Sequence, residues 1–565
     1  MRYCSPFRLP LRLLLLALPV VGGQAQSVPR AEADSLLRRL QGGQPDTNRV
    51  HQLIRLGEYQ VYKPGAFTAD LDSARTYARQ AQRLSRQLHY YPGEAQSLNL
   101  LGTISRESGQ LAQSITYHQA ALRHYRGHRD WKGEAGSYLL LAWSRRDKGD
   151  AGQARKDVQQ AMALYKAKGY HPGVARACLE LGNTYANWGE ELGVKIGYYQ
   201  QALGWWVRAG DRKKQADVHK DLGDLYAQQG NYARTLLELR KALVLYQSVR
   251  YPQLQGVYDL MGNMSSALGD YQEGLRYGLL AVRTAEALKD TSLSLCAIYN
   301  RLGMTYFRLK QYQKAYLYYD QAMRVARKYN DRPSVIIMAG NLATLLSVLD
   351  RPESSVRLVL SVARQYPPRS SEDSITLASR LVRGYTQLKR YRLAQRYCDQ
   401  LLAFSSRLPG HVSNHWDIYS SIIPFFIASR QYAQARKYLV AFEAYCTTTK
   451  HLQGATNAQL WWFKVDSVQA NHPAAIRHYQ RYKQLQDSAF NETKSRQIAS
   501  LDVLYETEKK EQALALQAQS IKVLSKEKQL QQQQLAQDRL LRNGLAGGTA
   551  LLLLLVGVIY NRYRL

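Results

Sequence analysis

The chain has 565 residues, of which 45% are hydrophobic, and its 77 Lys and Arg outweigh 44 Asp and Glu for a formal charge of +33. Together with a mean hydropathy of −0.42, this excludes a small disulfide scaffold, a disordered chain and a polytopic membrane protein. Length alone suggests three or four domains of roughly 150 residues each, but an internal repeat overrides that count.

Residues 1–25 read as a secretory signal peptide. Arg2, Arg8 and Arg12 form a positive start, Leu13 to Val21 a short apolar core, and Gly23-Gln24-Ala25 a small-residue cleavage site. The alternative is an N-terminal membrane anchor, for which the apolar core is short. Cys4 lies ahead of that core, unlike a lipoprotein acceptor cysteine.

A Leu-Gly type pair then recurs with an aromatic three residues on. Clear copies are LGNTY at 181, LGDLY at 222 and LGMTY at 302; weaker ones begin at 101, 141, 261, 342, 381 and 422. The successive gaps are 40, 40, 41, 39, 41, 40, 39 and 41 residues. Ten residues past the Leu often sits a Tyr and three further a small residue, as in Tyr271/Gly274, Tyr312/Ala315, Tyr391/Ala394 and Tyr432/Ala435. Ala242, Ala281 and Ala322 follow seven residues later, and Gly230-Asn231 and Gly269-Asp270 precede the Tyr as turn signals. The physical reading is a pair of antiparallel helices whose small residues permit close approach. One pair cannot bury its own apolar face, so the pairs stack.

This pattern resembles the tetratricopeptide repeat family, with the usual 34-residue unit lengthened by about six residues. The resemblance covers roughly residues 46–490, with 49–88 and 455–489 as degenerate end pairs. It implies an all-α fold: an α-solenoid of helical hairpins over 26–490.

Residues 491–543 follow, rich in Gln, Lys, Glu, Leu and Ala and free of Gly and Pro. They read as a helical stalk with imperfect heptads, dimeric through Ile498, Leu501, Tyr505, Ile521 and Leu524; a flexible Gln-rich linker is the alternative. Residues 544–560 (GLAGGTALLLLLVGVIY) span ~25 Å as a helix, near the lower limit for a transmembrane helix. Arg562 and Arg564 in the tail 561–565, together with the signal peptide, place that tail in the cytoplasm. A buried helix of a soluble fold is the alternative, against which five consecutive leucines argue.

The run from Asp487 and Ser488 through Phe490, Asn491, Glu492, Lys494, Ser495, Gln497 and Ile498 to Tyr505–Glu511 sharpens the resemblance. With the signal, the array and one span, it is similar to the periplasmic sensor half of Bacteroidetes-type membrane-bound histidine kinases and helix-turn-helix regulators. That resemblance implies a single-pass protein of the inner membrane, with its bulk in the periplasm, binding a peptide or protein ligand for a two-component type of signal transduction. No phosphoacceptor helix or ATP lid follows the span. The alternatives are an envelope scaffold without signalling, and a sensor histidine kinase truncated before its catalytic domain.

In the tetratricopeptide family, ligands lie in the concave groove lined by each first helix. Counting the repeat Leu as the seventh helix position, the resemblance implies groove-facing fifth positions at Asn99, Lys220 and Asn300, and ninth positions at Asn183, Asn263 and Arg383. Amides and cations suit peptide backbones and carboxylates; a solvated face without a ligand is the alternative. Trp143, Met304 and Thr344 break any repeated clamp.

There is no Walker loop, HExxH or GxSxG, so no catalytic residue, cofactor or metal is expected. His411, His415 and Asp417 have the spacing of a weak metal motif in an expected loop, and His118, His124 and His128 read as surface imidazoles. Cys178, Cys296, Cys398 and Cys446 lie far apart without CxxC, so they read as buried free thiols. Basic residues are spread over every repeat, and the chain reads as exported. An anionic envelope surface or acidic peptide is therefore a better partner than nucleic acid.

Overall fold

The computed structural model describes residues 30–40, 44–63, 68–405, 414–449 and 451–564; the side chains of 30, 31, 68, 414, 489–515, 518, 522 and 560–564 lie outside that description. The signal-peptide reading of 1–25 falls outside it too. Among the described residues every regular element is an α-helix.

A first helix, α1 (Arg30–Leu40), precedes the pairs and had no counterpart in the repeat pattern. The pairs begin with α2 (Thr47–Tyr62) and α3 (Thr68–Gln87), α4 (Tyr91–Glu107) and α5 (Leu111–Gly127), α6 (Trp131–Asp147) and α7 (Ala151–Ala167). They continue with α8 (His171–Asn183) and α9 (Gly189–Ala209), α10 (Arg212–Gln228) and α11 (Tyr232–Ser248), α12 (Gln255–Ala267) and α13 (Tyr271–Ala287). Then come α14 (Ser294–Arg308) and α15 (Tyr312–Lys328), α16 (Arg332–Val348) and α17 (Pro352–Gln365), α18 (Ser371–Gln387) and α19 (Tyr391–Ser405). The last are α20 (Asn414–Ala428) and α21 (Tyr432–Thr448), then α22 (Leu452–Val468) with the start of α23 (His472–Arg564).

The turn within a pair is built from two residues. Gly230 and Gly269 take φ of 77° and 88°, and Asn231 and Asp270 behind them accept hydrogen bonds from the backbone N–H groups of Arg234 and Glu273. The repeat tyrosines at 232, 271, 312, 391 and 432 each open the second helix. The two helices of a pair then meet at small residues. A Cβ on Gly262 of α12 would lie 2.9 Å from the backbone N of Gly278 and 3.0 Å from the carbonyl of Gly274, both on α13. Ala315 and Ala322 of α15 are fully buried at the equivalent seam.

Pairs stack because each first helix also touches the first helix of the next pair, in the rows α2–α4–α6 and α10–α12–α14–α16–α18–α20–α22. That side is the inner face, and the second helices form the outer one. Between the two rows α8 stops at Asn183, and a loop to Trp188 replaces its last turn.

The residues to Gln497 form one compact unit and those from Ile498 a second. The second unit is helical. It holds one stretch, within Gln519–Ile559, long and apolar enough to cross a membrane, none of it buried. Leu551 to Leu555 are 57–73% exposed.

The four described cysteines are free and buried. Burial pushes the Cys178 thiol up to about 11 and those of Cys296, Cys398 and Cys446 to about 12. At pH 8 they are expected to resist iodoacetamide in the native chain and to alkylate only in guanidinium, read by peptide mass spectrometry. The seam predicts that Gly262→Val costs about 2 kcal/mol through overpacking. Gly136→Ala, whose new methyl meets nothing within 4 Å, should gain up to ~1 kcal/mol of helix propensity. Thermal melts of the two variants test both signs.

Candidate ligand-binding face

Polar side chains on the inner face bridge successive first helices at one repeat's spacing. Asn99 Nδ2 donates to Ser137 Oγ at 2.9 Å, Arg106 lies 3.7 Å from Asp147, and Arg146 lies 3.8 Å from Glu180. Further along, Arg301 pairs with Asp259, Asn341 Nδ2 donates to Asn300 Oδ1 at 2.8 Å, and Arg380 reaches both the Gly340 carbonyl at 3.2 Å and Asp417 at 3.5 Å. These rungs run from α4 to α8 and again from α12 to α20.

α10 lies in the interval. Its inner-face charges bond along their own helix: Lys220 sits 3.4 Å from the adjacent Asp221, and Gln228 donates to Asp224 at 3.4 Å. Lys195 of α9 donates to Asn187 in the α8–α9 loop at 2.7 Å. Trp188 ends that loop with 75% of its surface exposed.

The six residues implied by the family resemblance are therefore not alike. Asn99 and Asn300 are rungs, Asn99 Oδ1 also accepting from His118 Nδ1 at 3.0 Å, and Asn300 is 2% exposed. Asn183 accepts from the Tyr199 hydroxyl at 2.7 Å and donates to Glu180 at 3.4 Å. Arg383 is half-buried; burial, then the neighbouring Arg380, bring its guanidinium down to about 10. Lys220 and Asn263 are half-buried on adjoining first helices, α10 and α12. The same count of helix positions places Asp259 at a fifth position and Asp224 at a ninth, both of which the amide-and-cation reading passed over.

Burial governs the electrostatics here. It raises the carboxyls of Glu180, Asp221, Asp224 and Asp259, against the opposing pull of Arg146, Lys220, Arg301 and Arg301 respectively. Burial, and then Arg146, lower the Lys195 ammonium, whereas Asp221 holds the Lys220 ammonium up. Such a set accepts hydrogen bonds readily and suits donors such as peptide N–H groups and basic side chains.

One surface assignment is corrected. His118 is 1% exposed, packed over Gly102, because it occupies the seam place that Tyr199, Leu239 and Tyr319 fill in other pairs. Burial, then Arg106, lower its imidazole to about 3. His128, by contrast, is exposed and stacks on Tyr91 at 3.9 Å. His411 lies outside the described residues. His415 stacks on Tyr419 at 5.8 Å, and Asp417 faces Arg380. Among the described residues no group of three or more His, Cys, Asp or Glu is placed to hold a metal.

Residues 294–364, from α14 into α17, match the family model described as tetratricopeptide repeat. The array is thus a helical-hairpin solenoid of the tetratricopeptide type. Human G-protein-signaling modulator 1 is 36% identical over 93 residues, 16% of this chain, and the chain spans 13% of that relative's length. Among solved structures, yeast Tom70 is similar at 15% identity over 80% of this chain and 96% of that one, with a TM-score of 0.37. The apo form of the quorum sensor NprR from B. thuringiensis is similar at 12% identity over 59% and 97%, with a TM-score of 0.40.

The pH dependence of the array separates two signs. His118 binds its proton less tightly folded than unfolded, so its contribution is complete above about 6.5 and is lost as pH falls towards 3. His118→Gln should flatten that acid limb in melts between pH 7 and 4. The raised Asp224 carboxyl acts oppositely and disfavours the fold as pH rises past its folded value. Asp224→Asn is expected to raise the melting temperature at pH 7.5, and a drop would contradict the burial argument.

Proposed function

We propose that this chain is a membrane-anchored, extracytoplasmic protein that binds an extended peptide or protein segment along its inner face, as the sensor part of a signal-transduction system. The observation that carries the reading is α10. Among the described residues, the short polar contacts of its Lys220, Asp221 and Asp224 run along their own helix, while burial raises the two carboxyls. Neighbouring first helices spend such groups on one another. Retaining buried polar capacity that the fold does not use costs stability, which is characteristic of binding sites. Trp188, exposed at the adjoining gap in α8, supplies an apolar anchor of the kind that dominates binding energy.

The anchor in this reading is the apolar stretch ending at Ile559. The signal peptide supports a periplasmic array with the span in the inner membrane, and the basic tail supports a cytoplasmic C-terminus. The heptad positions Ile521 and Leu524, both exposed, support pairing of two copies through the stalk. A ligand that changes the curvature of the array then alters the packing of two stalks, and the signal crosses as a helix movement.

Selection of peptides from a displayed library against the full chain in nanodiscs tests the binding. Selected peptides should lose affinity by about tenfold with Lys220→Glu or Asn263→Glu. They should bind unchanged with Val244→Glu on the outer face, where Val244 is 64% exposed. Binders indifferent to the inner-face changes, or none at all, would overturn the reading. Protease treatment of spheroplasts reports the orientation: the array should be digested from outside without lysis.

A further inference from the structure

In several pairs an aromatic ring near the end of the first helix stacks on a Tyr of the second helix, 12 or 13 residues further on. Tyr185 meets Tyr198 at 5.7 Å, Tyr306 meets Tyr318 at 5.5 Å, Tyr385 meets Tyr397 at 5.9 Å, and Phe426 meets Tyr438 at 5.5 Å. The pair α16–α17 places Leu346 and Leu358 at these two positions, as α6–α7 places Arg145 and Asp157 and α10–α11 places Tyr226 and Glu238. The ring stack is absent from α16–α17, and an outer cleft of about 520 Å³ opens between α15 and α17 over the end of α16.

The floor of the cleft is apolar: Met323, Leu342 and Leu346 are each less than 9% exposed from the solvent side. Its length along α15, from Gln313 to Arg327, is about 21 Å at 1.5 Å per residue. Two cations, Arg327 and Arg351, lie on the rim, exposed and with no side-chain ion pair or side-chain hydrogen bond among the described residues. The one carboxylate of the lining, Asp320, is already paired with Arg324 at 2.6 Å. The cleft thus combines an apolar bed of leucines and a methionine with exposed arginines at its edge.

We propose that this outer cleft is a binding site for a small amphipathic acid, a flat apolar body carrying one carboxylate. The body lies over Leu346 and Leu358 where other pairs have stacked rings, and the carboxylate is bonded by an arginine of the rim. The volume falls within the range of small-molecule sites. A guanidinium is suited to hold a carboxylate through two parallel N–H donors. This site stands on the other side of the array from the inner face and does not depend on the peptide reading.

The test uses the full chain in nanodiscs, with naphthylacetate as the probe and naphthylacetamide as its neutral counterpart. Binding is read by fluorescence anisotropy against empty nanodiscs. The acid should bind saturably and about tenfold more tightly than the amide, the scale of one charge-assisted pair. Arg327→Gln with Arg351→Gln should remove that preference and leave the amide unaffected. Leu346→Tyr with Leu358→Tyr should rebuild the stack and abolish binding of both probes at an unchanged melting temperature. Equal affinity for acid and amide, absence of saturable binding, or binding that survives both double variants overturns the proposal.

Discussion

The array depends on how closely two helices of a pair can approach. At the seam between α12 and α13, backbone nearly touches backbone, with Gly262 facing Gly274 and Gly278. In other pairs the glycine of the first helix accepts a ring or a leucine instead: Gly223 faces Leu239 and Gly303 faces Tyr319. That contact sets the tilt of one helix on the other, and hence where the next pair can stack. Repetition every 40 or so residues turns a local steric rule into a long continuous face. A side chain at the seam glycine pushes apart two helices and displaces every pair beyond them.

The steric rule also sorts the polar residues. With the seam and core occupied by Leu, Ala and Tyr, several buried charged groups sit where first helices meet. These neutralise each other across that boundary, as Arg146 does with Glu180 and Arg380 with Asp417. α10 departs from this economy. α8 before it ends at Asn183, and a loop to Trp188 takes the place of a further turn. A break in a regular array and a set of carboxyls raised by burial coincide at one place, which is why the inner face around α10 is the centre of the functional reading.

Much of the fold was legible because its rule is periodic. The Leu-Gly, Tyr and Ala positions located the pairs, and Tyr271, Tyr312, Tyr391 and Tyr432 marked the second helices to the residue. α1 escaped because it has no repeat partner, and the shortening of α8 because LGNTY at 181 is as good a repeat copy as its neighbours. Of the proposed site, counting positions named Lys220 and Asn263, while Asp224 and Asp259, at equivalent positions, were passed over because only amides and cations were sought. His118 looked like a surface residue from its spacing. Its burial follows from standing 16 residues after Gly102, as Leu239 follows Gly223 and Tyr319 follows Gly303, and the same comparison of copies could have found it.

The central claim is that the peptide or protein ligand lies along the inner face. A photo-crosslinking amino acid placed at Asn263 or at Val244, with the chain expressed in its own cells and irradiated, tests it most directly. Discrete covalent adducts from position 263 and none from 244 are the predicted result. Adducts from 244 alone, or equal adducts from both, would contradict the account.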